Sequence, residues 1–380
     1  MSAPAVVREL VDRFPSEGTP SFKSLGETAV RREFLDPMFA AFGWDVENTR
    51  GNPADYKEVI HEDKLRGRQN KLRVPANKKR TQSGATDEGD VTEEADEKDH
   101  VPDDERLKMP DYAFRLGGKR KFFVEAKRPT SRLRADPKPA RQLRRYGWSA
   151  RLPLSVVTDF QEFCVYDCRC EPRADDNADV ALQFYVPYHH YEAQWDRLYG
   201  LFSRDAVLDG ALEKYVEALG AGAGKGKSKG TKTVNQAFLA EMQSWRLLLA
   251  KNIAQRKPTL SAPALNYAVQ MTFDRLLFLR VAEDRGIEPY LQLQVLVEQS
   301  DPYARLCNLF RDADDRYNSG LFHFNKERGR LSPEDDLTLG LTIDDKPLRE
   351  IVEHLYYPYP YEFGMIPVEI MGQVYEQFLG

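Results

Sequence analysis

The sequence predicts an α/β domain over residues 1–190, a mixed sheet flanked by helices, followed by an all-α region over residues 234–380. Three observations carry this expectation. Strand-like and helix-like segments alternate in the first half, a Gly/Lys-rich stretch at 220–233 separates the halves, and apolar residues recur at helical spacing from Val234 onward. Residues 26–42, GETAVRREFLDPMFAAF, place Val30, Phe34, Leu35, Met38 and Phe39 on a helical stripe, and Gly43 is the stop. PDYAFRL, GGK and RKFFVEAKRP then read as a hairpin with a tight Gly-Gly turn, ended by Pro129. PARQLRRYGWSARL follows as a helix, and LPLSVVTDF and EFCVYD as two further strands. Residues 191–233 are expected to hold a helical segment and the linker. Beyond them NQAFLAEMQSWRLLLAKNIAQR and LNYAVQMTFDRLLFLRVAEDRGI are strong helices. The final helix, VEIMGQVYEQFLG, reaches the last residue, an ending expected of a fragment or a split subunit.

A net charge of −5 conceals blocks of opposite sign. Residues 64–80 hold eight Lys/Arg and no acid, whereas 85–105 are almost wholly acidic and small polar. Such a stretch has too little apolar surface to offset its ordering entropy, so an insertion at about 63–107 is expected to be disordered. Between Lys119 and Arg151 twelve Lys/Arg face only Glu125 and Asp136, a balance that suits a polyanion such as DNA.

Several motifs are weaker than they look. CVYDCRC lacks paired C-x-x-C spacing and a nearby His, so Cys164, Cys168, Cys170 and Cys307 read as reduced thiols rather than zinc ligands. Ala221–Ser228 fits a loose phosphate-loop pattern, but no buried strand precedes it, and a linker is the better reading. His189 and His190 are neighbours, whose side chains point opposite ways on a strand. The N-terminus lacks the features of a signal peptide, and no apolar run is long enough for a bilayer, so a cytoplasmic location without membrane contact is expected.

The chemistry concentrates on the hairpin. Glu125 and Lys127 project from one strand face with Phe123, while Val124 and Ala126 point the other way. The hairpin can bring Asp111 beside Glu125, and two carboxylates suit a hard cation such as Mg²⁺. Such a cation lowers the pKa of bound water and neutralises charge on a phosphate, while Lys127 would orient that water or stabilise the transition state. An E-x-K pair alone is commonplace on exposed strands. Here it follows Pro110-Asp111, lies at the mouth of an apolar strand, and precedes a basic helix with Gln142 and Tyr146 one turn apart.

PDYAFRLGGKRKFFVEAKRP resembles the PD-(D/E)xK nuclease superfamily, and ARQLRRY resembles the Q-x-x-x-Y helix of several of its branches. ETAVRREFLDPMFAAFGWDV, LPLSVVTDFQEFCVYD, FDRLLFLRVAEDRGI and EIMGQVYEQFLG are similar to the nuclease domain and helical connector of type IIG restriction–modification enzymes. The resemblance implies a Mg²⁺-dependent DNA endonuclease with metal held by Asp111 and Glu125 and Lys127 as the catalytic lysine. Glu27 would complete the site, with Glu33 as a competing choice. Gln142, Tyr146, Arg128, Arg141 and Arg145 are expected to bind double-stranded DNA or support the site. The family continues into an adenine methyltransferase with a glycine-rich S-adenosylmethionine motif and an N-P-P-Y motif. Neither occurs here, and YYPYPYEF lacks the Asn and reads as a loop between helices. The resemblance therefore implies methyltransferase and target-recognition domains in cis or trans, with S-adenosylmethionine bound only by the full-length enzyme. Two alternatives remain: a silent DNA-binding or scaffold subunit docking a separate methyltransferase, and the nuclease part of a type I restriction subunit.

Overall fold

A computed structural model describes residues 2–61, 109–222, 232–317, 319–325 and 334–379. The charged insertion and the phosphate-loop lookalike fall on segments outside the described residues, apart from the first two positions of the latter. The chain opens with α1 (Ala5–Arg13) and α2 (Pro20–Ser24), the latter capped by Thr19, whose hydroxyl accepts from Phe22 N. The helix expected over 26–42 is present in three pieces: α3 (Glu27–Val30), a π-helical turn (Arg31–Leu35) and α4 (Asp36–Ala41). Gly43 follows at φ +89°, the left-handed geometry that ends a helix.

A six-stranded sheet in sequential order forms the centre. Its strands are β1 (Val59–His61), β2 (Tyr112–Leu116), β3 (Lys119–Ala126), β4 (Leu154–Thr158), β5 (Glu162–Asp167) and β6 (Leu182–Pro187). All neighbours are antiparallel except β3 and β4, which run parallel. That parallel step needs a crossover, which α5 (Pro137–Ser149) supplies. Asp136 caps α5 by accepting from Lys138 N, and Pro137 occupies the first turn, where no backbone donor is required. The β2–β3 hairpin closes through Gly117 and Gly118 at φ +56° and +77°, the pair of positive angles that matches strand twist and that side chains resist.

Both sheet faces are covered. Phe122, Val124, Ala126, Val156 and Val165 pack against α1, the α3–α4 segment and three later helices, α6 (Trp195–Phe202), α7 (Arg204–Leu208) and α8 (Ala211–Gly222). The expected boundary near residue 190 therefore falls inside this core. Trp195 stacks on Phe42 at 4.7 Å, and Leu198, Phe202, Val207, Leu212 and Val216 bury the same sheet face. The opposite face, with Ala113, Phe123, Val157, Cys164 and Tyr166, is covered by Ala140, Leu143 and Tyr146 of α5. Gly147 makes this close packing possible, because a Cβ there would collide with Cys168 and crowd Ser155 Oγ.

The second half is all helical, as expected. It comprises α9 (Val234–Arg256), α10 (Ala262–Asp284), α11 (Gln292–Glu298), α12 (Pro302–Tyr317), α13 (Asp345–His354) and α14 (Val368–Leu379) around one core. Thr233 and Gln236 form a reciprocal capping box at the start of α9. YYPYPYEF lies outside helices between α13 and α14. Among the described residues no helix is long and apolar enough to cross a membrane.

Candidate functional site

Strand register places Tyr112 opposite Val124, so Asp111 enters the hairpin across from Glu125. Asp111 Oδ2 accepts from Ala126 N at 2.8 Å, which pins the first carboxylate to the strand of the second. Alternation turns Glu125 towards α5, beside Phe123, and buries it to 3% exposure. Its Oε1 accepts from Lys127 Nζ at 2.6 Å and from Gln142 Nε2 at 2.9 Å. Its Oε2 is buried and has no hydrogen-bond partner among the described residues. Lys127 Nζ also donates to the Ala126 carbonyl at 2.9 Å and lies 3.8 Å from Glu27 Oε2.

Electrostatics follow from this geometry. Burial, and after it the charge of Asp111, pushes the Glu125 carboxyl up to about 8, against the pull of Lys127. Burial opposes the Lys127 charge as well, but Glu125, Asp111 and Glu27 outweigh it and raise its pKa. Glu27 is raised by burial, with Lys127 opposing and Asp111 adding to the shift. Three carboxylates thus share one lysine and Arg31, whose Nη1 lies 3.2 Å from Asp111 Oδ1 and whose Nη2 donates to the Asp111 carbonyl at 3.3 Å.

Asp111, Glu125, Lys127, Glu27, Gln142 and Tyr146 are therefore brought together. Between the two competing acids, α3 presents Glu27 to Lys127, whereas Glu33 is exposed on the π-helical turn. Tyr146 is buried in the α5–sheet core, and its hydroxyl accepts from Gln142 Nε2 at 3.2 Å. The three arginines diverge. Arg128 is exposed near Glu27. Arg141 donates to the Ala174 carbonyl, and Arg145 pairs with Glu362 of the helical region, so neither side chain contacts Glu125 or Lys127. Helix α5 has more than one packed face, and its basic residues distribute over them. Arg31 was missed; it follows Glu27 by one helical turn and also lies 5.0 Å from the Tyr112 ring centroid. The i, i+4 spacing of Glu27 and Arg31 is the signal that could have found it.

The donor set fits a hard cation. Two carboxylates converge beside Lys127 and Arg31, and Glu125 keeps a buried oxygen that has no hydrogen-bond partner among the described residues, a donor set of the kind that holds a hard cation. No group of three or more His, Cys, Asp or Glu is gathered at metal-holding spacing among the described residues. The four cysteines are free. Cys164, Cys168 and Cys307 are buried, and burial pushes the Cys168 thiol up to about 12.

Residues 24–173 match the family described as "Type I restriction enzyme R protein N terminus". The chain is also 31% identical over 379 residues to the "Type II restriction enzyme and methyltransferase RM.Eco57I" of Escherichia coli. That match covers 98% of this chain, which spans 32% of the relative's length. No solved structure matches. The resemblance to the nuclease and connector region of type IIG restriction–modification enzymes is borne out by these two findings.

Proposed function

We propose that this region is the DNA endonuclease portion of a type IIG restriction–modification enzyme, hydrolysing phosphodiester bonds of foreign double-stranded DNA with Mg²⁺. The observation that carries the reading is Glu125: a buried carboxylate facing Asp111, tied to Lys127 and Gln142 through one oxygen and unpartnered at the other. Asp111 and Glu125 would hold the cation, which when bound polarises the phosphate and acidifies a water. Lys127, kept protonated by three carboxylates, supplies positive charge where the phosphate gains negative charge. Glu27 keeps that ammonium at the mouth of the site, and Gln142 fixes the orientation of Glu125. Arg31 holds Asp111 on the hairpin.

The match through the helical region favours this reading over a type I subunit, whose family match ends at residue 173. The name of the Escherichia coli relative joins a restriction enzyme to a methyltransferase. By analogy, adenine methylation, S-adenosylmethionine binding and target recognition belong to the rest of the full-length protein, in the cytoplasm.

Supercoiled plasmid incubated with this protein and Mg²⁺ should be nicked or cut. Asp111→Ala and Lys127→Ala should each lower the rate by about 100-fold or more. Mn²⁺ titration, followed by relaxation of water protons, should give binding that Asp111→Ala abolishes. Equal cleavage by all three proteins, together with equal Mn²⁺ uptake, would sink the proposal. DNA binding with neither cleavage nor cation uptake would mark the silent scaffold instead.

A further inference from the structure

Helix α5 is shared between the two halves of the molecule. Its Leu143 and Tyr146 pack on the sheet, whereas Trp148 belongs to the core of the helical region. The segment between α13 and α14 docks on the same helix. Ser149 Oγ donates to the Pro360 carbonyl at 3.3 Å and accepts from Glu362 N at 3.0 Å. Met365 inserts into the cluster that holds Leu143 and Tyr146. Arg145 forms an ion pair with Glu362, the two side chains only 15% and 14% exposed, and lies 4.8 Å from the Tyr357 ring centroid.

This docking lies immediately behind the candidate site. Gln142 precedes Arg145 by three residues and Tyr146 by four, and its amide bridges the Tyr146 hydroxyl and Glu125 Oε1. Burial first, then the charges of Glu362 and Glu125, keep the Tyr146 phenol protonated, so both carboxylates act on that one side chain. Polar groups on one stretch of α5 thus join the helical region, through Arg145 and Glu362, to the strand that bears Glu125, through Gln142.

We infer that Glu362 is a positioning residue of the nuclease site: through Arg145 it fixes the rotation of α5 that sets the Gln142 amide on Glu125. The inference rests on the nuclease reading above. Its physical basis is that a buried ion pair has one favourable geometry, and α5 cannot turn about its axis without breaking it. Because Gln142 sits one turn away, a small rotation at Arg145 moves its amide off Oε1. Glu362 would therefore make cleavage depend on the seating of the helical region, without touching DNA or metal.

The test uses the full chain with Glu362→Gln, Arg145→Met, and the exchange Arg145→Glu with Glu362→Arg. Two readouts are needed: plasmid nicking kinetics, and the ¹⁵N side-chain resonance of Gln142, assigned by its loss in Gln142→Glu. Glu362→Gln and Arg145→Met should lower kcat by about 10- to 100-fold, the range for outer-shell partners of ligands, with KM for plasmid unchanged. Both should shift the Gln142 resonance towards that of a free amide, and the exchange should recover part of both effects. Thermal melts identify a temperature at which all variants are folded. An unmoved Gln142 resonance in folded Glu362→Gln and Arg145→Met overturns the inference, whether or not the chain cuts DNA. If Asp111→Ala abolishes nicking while Glu362→Gln changes neither readout, the inference falls and the nuclease reading stands. If the wild type neither cuts nor takes up Mn²⁺, the nuclease reading falls and the positioning role falls with it.

Discussion

The α/β half and the helical half both bury carboxylates, but they compensate them differently. In the helical half Asp335 accepts from Leu337 N, Thr338 N and the Thr338 hydroxyl, and pairs with Arg275 Nη2 at 2.7 Å. Glu283 accepts from Leu293 N at 2.9 Å and from the Tyr356 hydroxyl at 2.5 Å, with Arg280 beside it. These groups find their partners inside the fold. Glu125 is as buried, yet it has Lys127 and Gln142 on one oxygen, none on the other among the described residues, and two further acids nearby. Both regions bear the desolvation cost of a buried charge. At Asp335 the helical half offsets it with protein donors, whereas Glu283 keeps its donors and is still pushed up to about 7 by burial. The hairpin leaves part of it uncompensated, which is the condition under which an incoming cation binds. Burial alone thus does not single out Glu125 under the proposed function; its incomplete set of partners beside Asp111 does.

The sharpest way to break this contrast is to remove a partner in each half. Arg275→Met strips Asp335 of its cation in a fully buried setting and should cost about 3–5 kcal/mol in urea unfolding. A loss below about 1 kcal/mol would show that Asp335 does not depend on it. Glu125→Gln should behave oppositely. Its carboxyl is pushed up to about 8, so the folded site disfavours the charge that the amide removes. Stability should hold or rise by about 0.5–2 kcal/mol, while cleavage falls by about 100-fold or more. Urea unfolding and plasmid nicking on the same preparation measure both. Destabilisation comparable to that of Arg275→Met would place Glu125 among the structural charges.

The same contrast explains how much was legible in the sequence. Strand alternation has a fixed period of two, so the common face of Glu125 and Lys127, and the placement of Asp111 by a Gly-Gly turn, could be read directly. Glu27 could not be separated from Glu33 by the same logic, because the π-helical turn at Arg31–Leu35 shifts the helical phase between them. Strand β1 was invisible: three residues long, it pairs with a strand some fifty positions on. β6 mixes buried and exposed residues without clean alternation. Residues after 190 read as a separate helical segment yet pack in the same core as the sheet, because amphipathic spacing does not say which core a helix joins. Arg145 illustrates a related point. Charge density on α5 identifies a basic helix, but only tertiary packing decides which arginines meet solvent and which meet Glu362.

Gly147 offers a smaller test, at the seam between the halves. The helix lies so close to Cys168 that a methyl group cannot fit without moving it. Gly147→Ala should cost about 1–3 kcal/mol despite the higher helix propensity of alanine. Because α5 also carries Gln142, nicking should fall with it. A stabilised variant would mean that α5 has room to shift, which would weaken the coupling of Arg145 to Glu125.

The smallest effect concerns Asp274 on α10, a half-buried carboxylate whose amide partner, Gln270, donates at 2.7 Å. Burial pushes it from 3.8 up to about 7, with Gln270 and Arg275 opposing. The folded chain therefore retains a proton that the unfolded chain releases between those two values. Stability from this group is present below the lower value and lost as pH rises towards the upper one. Because the group is only half-buried and solvent screens it, the slope should total about 1–2 kcal/mol. Asp274→Asn should flatten it, so urea midpoints at about pH 5 and about pH 8 should differ less than in wild type. Equal slopes in both proteins would mean that Gln270 and Arg275 compensate Asp274 fully, as the partners of Asp335 do, and would remove it from the uncompensated class that contains Glu125.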